Sequence, residues 1–328
     1  MSWDEANGLK IFAGRNMIEL AMKISRHLGL PLGAARTDRF PDGELIVRIE
    51  EDVRGRDCFV VLSTCGPVND NLMELLIFAD SLRRASARRI TAVIPYFGYG
   101  RQDRKDRGRT PITAKLVANL ITTAGFDRVL ALDLHAAQIQ GFFDLPVDHL
   151  AAGSVLLPHL SNLFTQGSAP LTVVSPDVGN MKIAEKYAEL LNADLAVIYK
   201  RRISGSEVVS TQIVGDVQGR TVLMVDDLIS TGSTICAAAQ LLQKAGAGAM
   251  YVAASHGVFV GPATERIKDS PIERVVVTNS IPDNGRLAPI ADKVDVICVS
   301  KLFADAINHI HKNQSVSALF RSFAESKR

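Results

Sequence analysis

Two adjacent carboxylates, Asp226 and Asp227, follow the apolar run 221–225, and a hydroxyl-glycine loop of Ser230, Thr231, Gly232, Ser233 and Thr234 comes just after them. The alanine- and leucine-rich segment 235–245 then reads as a helix ending at Gly246. A loop at a helix start offers unpaired N–H groups and the positive end of the helix dipole, so it can hold a phosphate without a lysine. The two acids would repel that phosphate. Their natural client is a sugar's adjacent hydroxyls or a hydrated Mg²⁺. The unit therefore reads as a ribose-phosphate site. An ordinary strand end, or the metal-holding strand of a P-loop enzyme, would share part of the pattern. The chain has no G-x-x-x-x-G-K-[ST] to complete the second of these.

Five further segments carry chemistry-bearing residues. Residues 40–44, Phe-Pro-Asp-Gly-Glu, form a turn that leaves Phe40 without an apolar neighbour on its own segment. Residues 95–109 lead from three aromatics into five cations diluted by two acids. That composition suits a stacked base with phosphates held by guanidinium groups, but equally a solvated loop or a single-stranded nucleic-acid contact. His135, two residues after Asp133, could hold a metal. Ser175 to Asn180 opens a helix and brings Asp177 to its start, while Lys200, Arg201 and Arg202 end a strand and enter a polar connection that could close over a site. His309 and His311 read as solvent-facing helix residues.

The elements that must position these residues alternate. Apolar runs at 9–13, 58–62, 90–94 and 129–132 are separated by helical segments, one from Asn69 with Leu72, Leu75, Leu76, Ala79 and Leu82 on one face, another from Thr110-Pro111 to Gly125. The second half repeats the scheme at 171–174, 195–199, 221–225, 250–254, 274–277 and 294–299. Alternation of this kind gives an α/β fold of two similar, doubly wound parallel-sheet domains, 1–150 and 151–328, with room for the tail after about residue 308 to pack back on the first. Chemistry is then sought in the loops at the carboxyl ends of the strands.

At 328 residues, 47% hydrophobic and with a formal net charge of +2, the chain has no global pull toward nucleic acid. Its four cysteines fall singly, which fits a reducing compartment. No stretch reads as a membrane span or a signal sequence, so a cytoplasmic location is expected.

Together these segments resemble the ribose-phosphate pyrophosphokinases, also called phosphoribosyl pyrophosphate (PRPP) synthetases. The similarity runs from about Leu9 to Phe320, through FPDGE, TCGPVNDNLMELL, PYFGYGRQDRK, RTPITAKLVANL, DLHAAQIQGFFDLPVDHL, SPDVGN, YKRR, VDDLISTGST and SVSALF. The resemblance implies domains of phosphoribosyltransferase type, the first serving ATP and the second ribose 5-phosphate. It implies that Phe40, Asp42, Glu44, Arg101 and Gln102 bind ATP and that His135 and Asp177 carry Mg²⁺. Lys200 and Arg202 would act on the transferring group. Arg202, Asp226, Asp227, Ser230, Thr231, Gly232, Ser233 and Thr234 would bind ribose 5-phosphate. The activity implied is transfer of the pyrophosphoryl group of ATP to the C1 hydroxyl of ribose 5-phosphate, in a homo-oligomer of up to six chains with the nucleotide site shared between subunits, and with neither nucleic acid nor membrane as partner. Ser230, Ser233 and the pair Asn180-Met181 depart from the family pattern. A phosphoribosyltransferase, a non-catalytic regulatory subunit of the same family and a nucleic-acid-binding regulator using residues 101–109 are the competing readings.

Overall fold

The computed structural model of the chain describes residues 8–105, 107–164, 169–203 and 208–317, with backbone alone at 200–203 and 208–211. It divides into two compact units. The first takes the described chain up to Ala151, Ser280–Pro282 and the described chain from Val299 on, and the second takes Ala152–Asn279 and Asp283–Cys298.

In the first unit β1 (Leu9–Ala13), α1 (Ile18–Leu28), a hairpin of β2 (Ala35–Arg39) and β3 (Leu45–Ile49), β4 (Asp57–Val61), α2 (Val68–Arg84), β5 (Arg89–Ile94), α3 (Thr113–Ala124), β6 (Arg128–Leu132) and β7 (Val147–Leu150) follow in chain order. Strands β1, β4, β5, β6 and β7 make a parallel sheet in that spatial order. The order never reverses, so right-handed crossovers deliver successive helices to the same face. Leu75, Phe78 and Leu82 of α2 and Val117 and Ile121 of α3 accordingly share one core with Val60, Leu62, Ile90, Ile94 and Ala131. The alternate residues Phe59, Val61, Val93 and Leu130 are just as buried. Both faces are covered, which is why these strands read as unbroken apolar runs.

The second unit holds α4 (Gly153–Phe164), β8 (Leu171–Ser175), α5 (Met181–Leu191), β9 (Asp194–Ile203), β10 (Val208–Val214), β11 (Thr221–Ile229), α6 (Ser233–Lys244), β12 (Met250–Gly257), α7 (Ala263–Lys268), β13 (Arg274–Thr278) and β14 (Val294–Ile297). Its sheet order is β10-β9-β8-β11-β12-β13-β14, parallel except where β10 turns back antiparallel on β9. Here the winding does reverse, between β8 and β11.

The alternation read from the sequence yields two parallel sheets, as expected, but only the second reverses its winding; the first runs one way, and there are local differences besides. Strand β11 does not stop at Val225. It runs through both acids to Ile229 because β12 continues beside it, pairing Asp226 with Ala254 and Ile229 with Gly257. Helix α3 starts at Thr113 rather than beside Thr110, whose hydroxyl donates instead to the Arg107 carbonyl in the preceding loop (2.8 Å). The β2–β3 hairpin was not anticipated, since Val47 is its one buried hydrophobic side chain. All four cysteines are free, and burial, with Asp57 and Glu51 nearby, pushes the Cys58 thiol up to about 12. Among the described residues no helix is long and apolar enough to cross a membrane.

Helix α8 (Ser300–His311) belongs to the first unit and packs on α1. It buries Phe303 and Ile307 completely, each contributing roughly 1.5–3 kcal/mol relative to exposure. Of the histidines at its end, His311 is enclosed, contrary to the sequence reading, while His309 is half-exposed. His309 Nδ1 lies 2.9 Å from the Ser315 carbonyl, and His311 Nδ1 lies 2.7 Å from Asp57 Oδ2. Asp57 also takes two bonds from the Arg89 guanidinium, at 2.8 and 2.5 Å, and Arg89 donates to the Ile310 carbonyl (3.1 Å). Helical spacing cannot reveal a partner 254 residues away.

Burial alone would raise the Asp57 carboxyl, but hydrogen bonds from His311 and Arg89 more than offset it and hold the group below its ordinary 3.8. A depressed carboxylate contributes stability that is present above the unfolded value and is lost as pH falls through the folded one. Asp57→Asn should therefore lower stability by about 2–4 kcal/mol at pH 7 in urea unfolding, and the gap to the parent should narrow once pH drops below about 4.

Candidate functional site

In an open parallel sheet the crevice lies where the winding reverses, outside the carboxyl ends of the strands. In the second unit that point is between β8 and β11, and the loops leaving these two strands are the two singled out by sequence, 175–180 and 226–234. Strand β8 pairs with β11 only as far as Met224, so Asp226 and Asp227 lie beyond the paired stretch. Asp226 Oδ1 accepts from the Asp227 backbone N–H (2.8 Å) and from Asn180 Nδ2 (2.5 Å). Burial, then the Asp227 carboxyl beside it and Asp177 further off, push the Asp226 carboxyl up to about 8, even though the Asp227 N–H pulls the other way.

After Ile229 the chain turns into α6 through Ser230, Thr231 and Gly232. Gly232 has φ +72°, a left-handed conformation that calls for glycine, although an added Cβ would meet the Ala263 carbonyl only at an ordinary contact distance of 3.4 Å. The Thr231 and Ser233 hydroxyls are 3.1 Å apart, and Arg266 Nη1 steadies the loop by donating to the Thr231 carbonyl (2.9 Å). Among the described residues no side chain caps α6. Thr231, Ser233 and Thr234 are exposed, so hydroxyls and the helix start together present donors to an anion. Asp177 is exposed at the other loop, with its Oδ1 accepting from the Asn180 backbone N–H (3.1 Å).

The first unit gathers a second set. Phe40 to Glu44 is the tip of the β2–β3 hairpin, closed by Phe40 N–H donating to the Glu44 carbonyl (2.9 Å). The Phe40 ring is 47% exposed, and the Asp42 carboxylate accepts from the Glu44 N–H (3.1 Å), which also serves the turn itself. Arg39 ties the tip to α2 by donating to Asp70 (2.5 Å). Of the three aromatics read as a stacking platform, Phe97 is not available. It is a core residue in edge contact with Phe143, ring centroids 5.8 Å apart. Tyr99 is instead bonded through its hydroxyl to Asn69.

Close approach fixes this loop. A Cβ at Gly98 would come within 2.2 Å of the Thr64 carbonyl, and one at Gly100 would lie 3.6 Å from His135 Cβ, so the aromatic-basic loop and the loop carrying His135 are packed together. Gln138 donating to Asp103 (3.0 Å) ties them again. Arg101 and Gln102 are exposed, the Gln102 side chain accepting from the Thr113 hydroxyl at the start of α3 (2.5 Å). His135 is exposed, and the Leu134 N–H beside it donates to His149 Nε2 (2.9 Å). His149, Asn180 and Arg266 were not read from the sequence as positioning groups. Asn180 alone gave a signal, as an amide directly after a loop glycine.

His135 and Asp177 belong to separate units, and among the described residues no three His, Cys, Asp or Glu side chains gather to hold a metal. One exposed carboxylate and one exposed imidazole do not make a cage. Each by itself offers one ligand of the kind accepted by a hard ion that keeps water and takes most of its oxygens from a bound phosphate, as Mg²⁺ does. The side chains of Lys200 and Arg202 lie outside the described residues; their backbone is in β9, opposite Thr211 and Val209 of β10. A cavity of about 390 Å³ is lined by Gly8, Gly55, Asp57, Arg89, Asp127 and His311, among others, at the amino ends of the first sheet's strands. That is the edge opposite the loops described above.

Comparison with known proteins identifies the family of the chain. A family described as the N-terminal domain of ribose phosphate pyrophosphokinase matches residues 9–125, and one described as the phosphoribosyl synthetase-associated domain matches 206–321. The ribose-phosphate pyrophosphokinase of Rhodopirellula baltica is 53% identical over 315 residues, covering 95% of this chain and 98% of the relative. That of Caldanaerobacter subterraneus is 51% identical over 316 residues, covering 96% and 98%. The crystal structure of phosphoribosylpyrophosphate synthetase from Mycobacterium smegmatis superposes with a TM-score of 0.88 at 42% identity, covering 93% of this chain and 99% of that one.

A carboxyl whose folded value is raised above 3.8 resists ionisation in the fold, so the native state loses stability as pH climbs from about 4 toward 8. Asp226→Asn removes that loss. Urea unfolding should show the variant more stable than the parent at pH 8.5, on the order of 2 kcal/mol, and nearly equal to it at pH 4.

Proposed function

Because this chain belongs to the ribose-phosphate pyrophosphokinase family, we propose that its first unit serves ATP and its second ribose 5-phosphate. The chain is an enzyme, a ribose-phosphate diphosphokinase. In the reading put forward here, the C1 hydroxyl of ribose 5-phosphate attacks the β-phosphorus of ATP and gives PRPP and AMP. The observation that carries the sugar side is the pairing, at the β8–β11 reversal, of two adjacent acids, Asp227 buried and Asp226 half-buried, with an uncapped, hydroxyl-rich helix start. Asp226 and Asp227 take the ribose hydroxyls, while Ser230, Thr231, Gly232, Ser233 and Thr234 take the 5-phosphate. The hydroxyl is thereby held for in-line attack, and positioning is most of what such a transfer asks of a protein.

On the ATP side, the exposed Phe40 ring supplies a stacking surface for the base, with Asp42, Glu44, Arg101 and Gln102 around the nucleotide. Mg²⁺, held through His135 and Asp177, would supply positive charge to the phosphate oxygens. In this reading Lys200 and Arg202 act on the transferring group, and Arg202 is also assigned to ribose 5-phosphate. Apolar side chains left exposed on α2 and α3, Met73, Leu116 and Leu120, support a homo-oligomer in which the nucleotide site is shared between subunits. The enzyme works in the cytoplasm, without nucleic acid or membrane as partner.

AMP should form from ATP only when both ribose 5-phosphate and Mg²⁺ are added. Consumption of PRPP with a nucleobase, and no AMP, would sink this reading in favour of a phosphoribosyltransferase. Lys200→Ala should lower kcat by roughly 10²–10³ and leave KM for ribose 5-phosphate nearly unchanged, because the charge it meets exists in the transition state. Arg101→Ala should weaken ATP binding by about 1–3 kcal/mol in calorimetry, with ribose 5-phosphate binding intact.

A further inference from the structure

Asn180 is the residue directly before α5, and it makes two bonds in opposite directions. Its backbone N–H donates to Asp177 Oδ1 (3.1 Å), and its side-chain amide donates to Asp226 Oδ1 (2.5 Å). One residue therefore contacts the carboxylate assigned to the metal side and the carboxylate assigned to the sugar. The Asp226 oxygen it holds also accepts the Asp227 N–H, so that atom is fixed by two donors and the plane of the carboxyl is set.

Without the amide, the contacts left to the Asp226 carboxyl include those to the adjacent Asp227, its backbone N–H and its carboxyl. Asn180 is the donor that reaches it from another loop, and adjacent sugar hydroxyls require a defined pair of oxygens. The amide also brings a partial positive charge to an acid flanked by Asp227 and, further off, Asp177. An aspartate at the same place would have nearly the same shape and the opposite effect.

We propose that Asn180 is a positioning residue for ribose 5-phosphate, orienting Asp226 through its side-chain amide while its backbone orients Asp177. This rests on the reading in which Asp226 binds the ribose. The two arms separate by substitution, because Asn180→Ala deletes the amide and keeps the backbone N–H that serves Asp177. Loss of a hydrogen bond to the carboxyl that holds the sugar then predicts a change confined to the sugar substrate.

The experiment measures the binding of ribose 5-phosphate and, separately, of ATP by calorimetry, with steady-state kinetics on the full chain and thermal unfolding of each variant. Asn180→Ala should raise both Kd and KM for ribose 5-phosphate about tenfold, with kcat within about threefold and ATP affinity unchanged. Asn180→Asp, close in shape but acidic, should raise them about a hundredfold with an unfolding midpoint near that of the parent. Unchanged affinity for ribose 5-phosphate in both variants overturns the inference, as does an equal loss for ATP, which would mark a general structural role. Asp226→Ala is the control for the underlying reading. If it still binds ribose 5-phosphate normally, the assignment of Asp226 to the sugar is wrong and the role of Asn180 falls with it; if it loses binding while Asn180→Ala does not, only the role of Asn180 fails.

Discussion

A carboxyl pair on a central strand, just past the point where its neighbour β8 stops pairing with it, is held against its own electrostatics. Water is partly excluded from Asp226, and the Asp227 carboxyl is next in sequence. Such an arrangement persists only where surrounding donors and backbone over-determine it, and it marks a place where a ligand will supply the missing partners. The rest of the second unit follows from that constraint. Strand β12 must run on past Asp226 to hold the backbone, β8 must stop short to leave room, and the loop after β8 must return a donor, which Asn180 does.

The alternation of short apolar runs was enough to read the fold, because strands covered on both faces leave a mark in their own residues. The ends of those strands were less readable. Strand β11 continues through Asp226 on account of β12, and nothing in the residues 226–229 themselves reports that neighbour. The hairpin β2–β3 buries little, and β10 pairs with β9 in a stretch rich in polar residues, so neither shows the burial pattern that betrays a strand.

The chemistry divides in the same way. Residues in a motif, such as the acids and the hydroxyl-glycine loop, were visible because type and order already state a function. Residues that position them were not. His149 accepts the Leu134 N–H from a different strand, Arg266 reaches Thr231 from α7, and His311 reaches Asp57 across most of the chain. Each is an ordinary polar residue in sequence and acquires its role only from tertiary contact. Phe97 shows the converse case, an aromatic in a chemistry-bearing loop that is committed to the core.

The first sheet winds in one direction, so its own crossover helices α2 and α3 share one face, and part of what closes the first unit comes from α8, the far end of the chain. This has a consequence for synthesis on the ribosome. The first 151 residues emerge with Asp57 and Arg89 lacking the His311 partner, and with the surface of α1 that α8 covers still open. At about 5–20 residues per second, the roughly 160 residues up to the end of α8 take on the order of ten to thirty seconds to follow. During that interval the nascent unit presents the apolar surface that α8 later covers, and the order of translation, rather than the strength of any one contact, sets how long it is exposed.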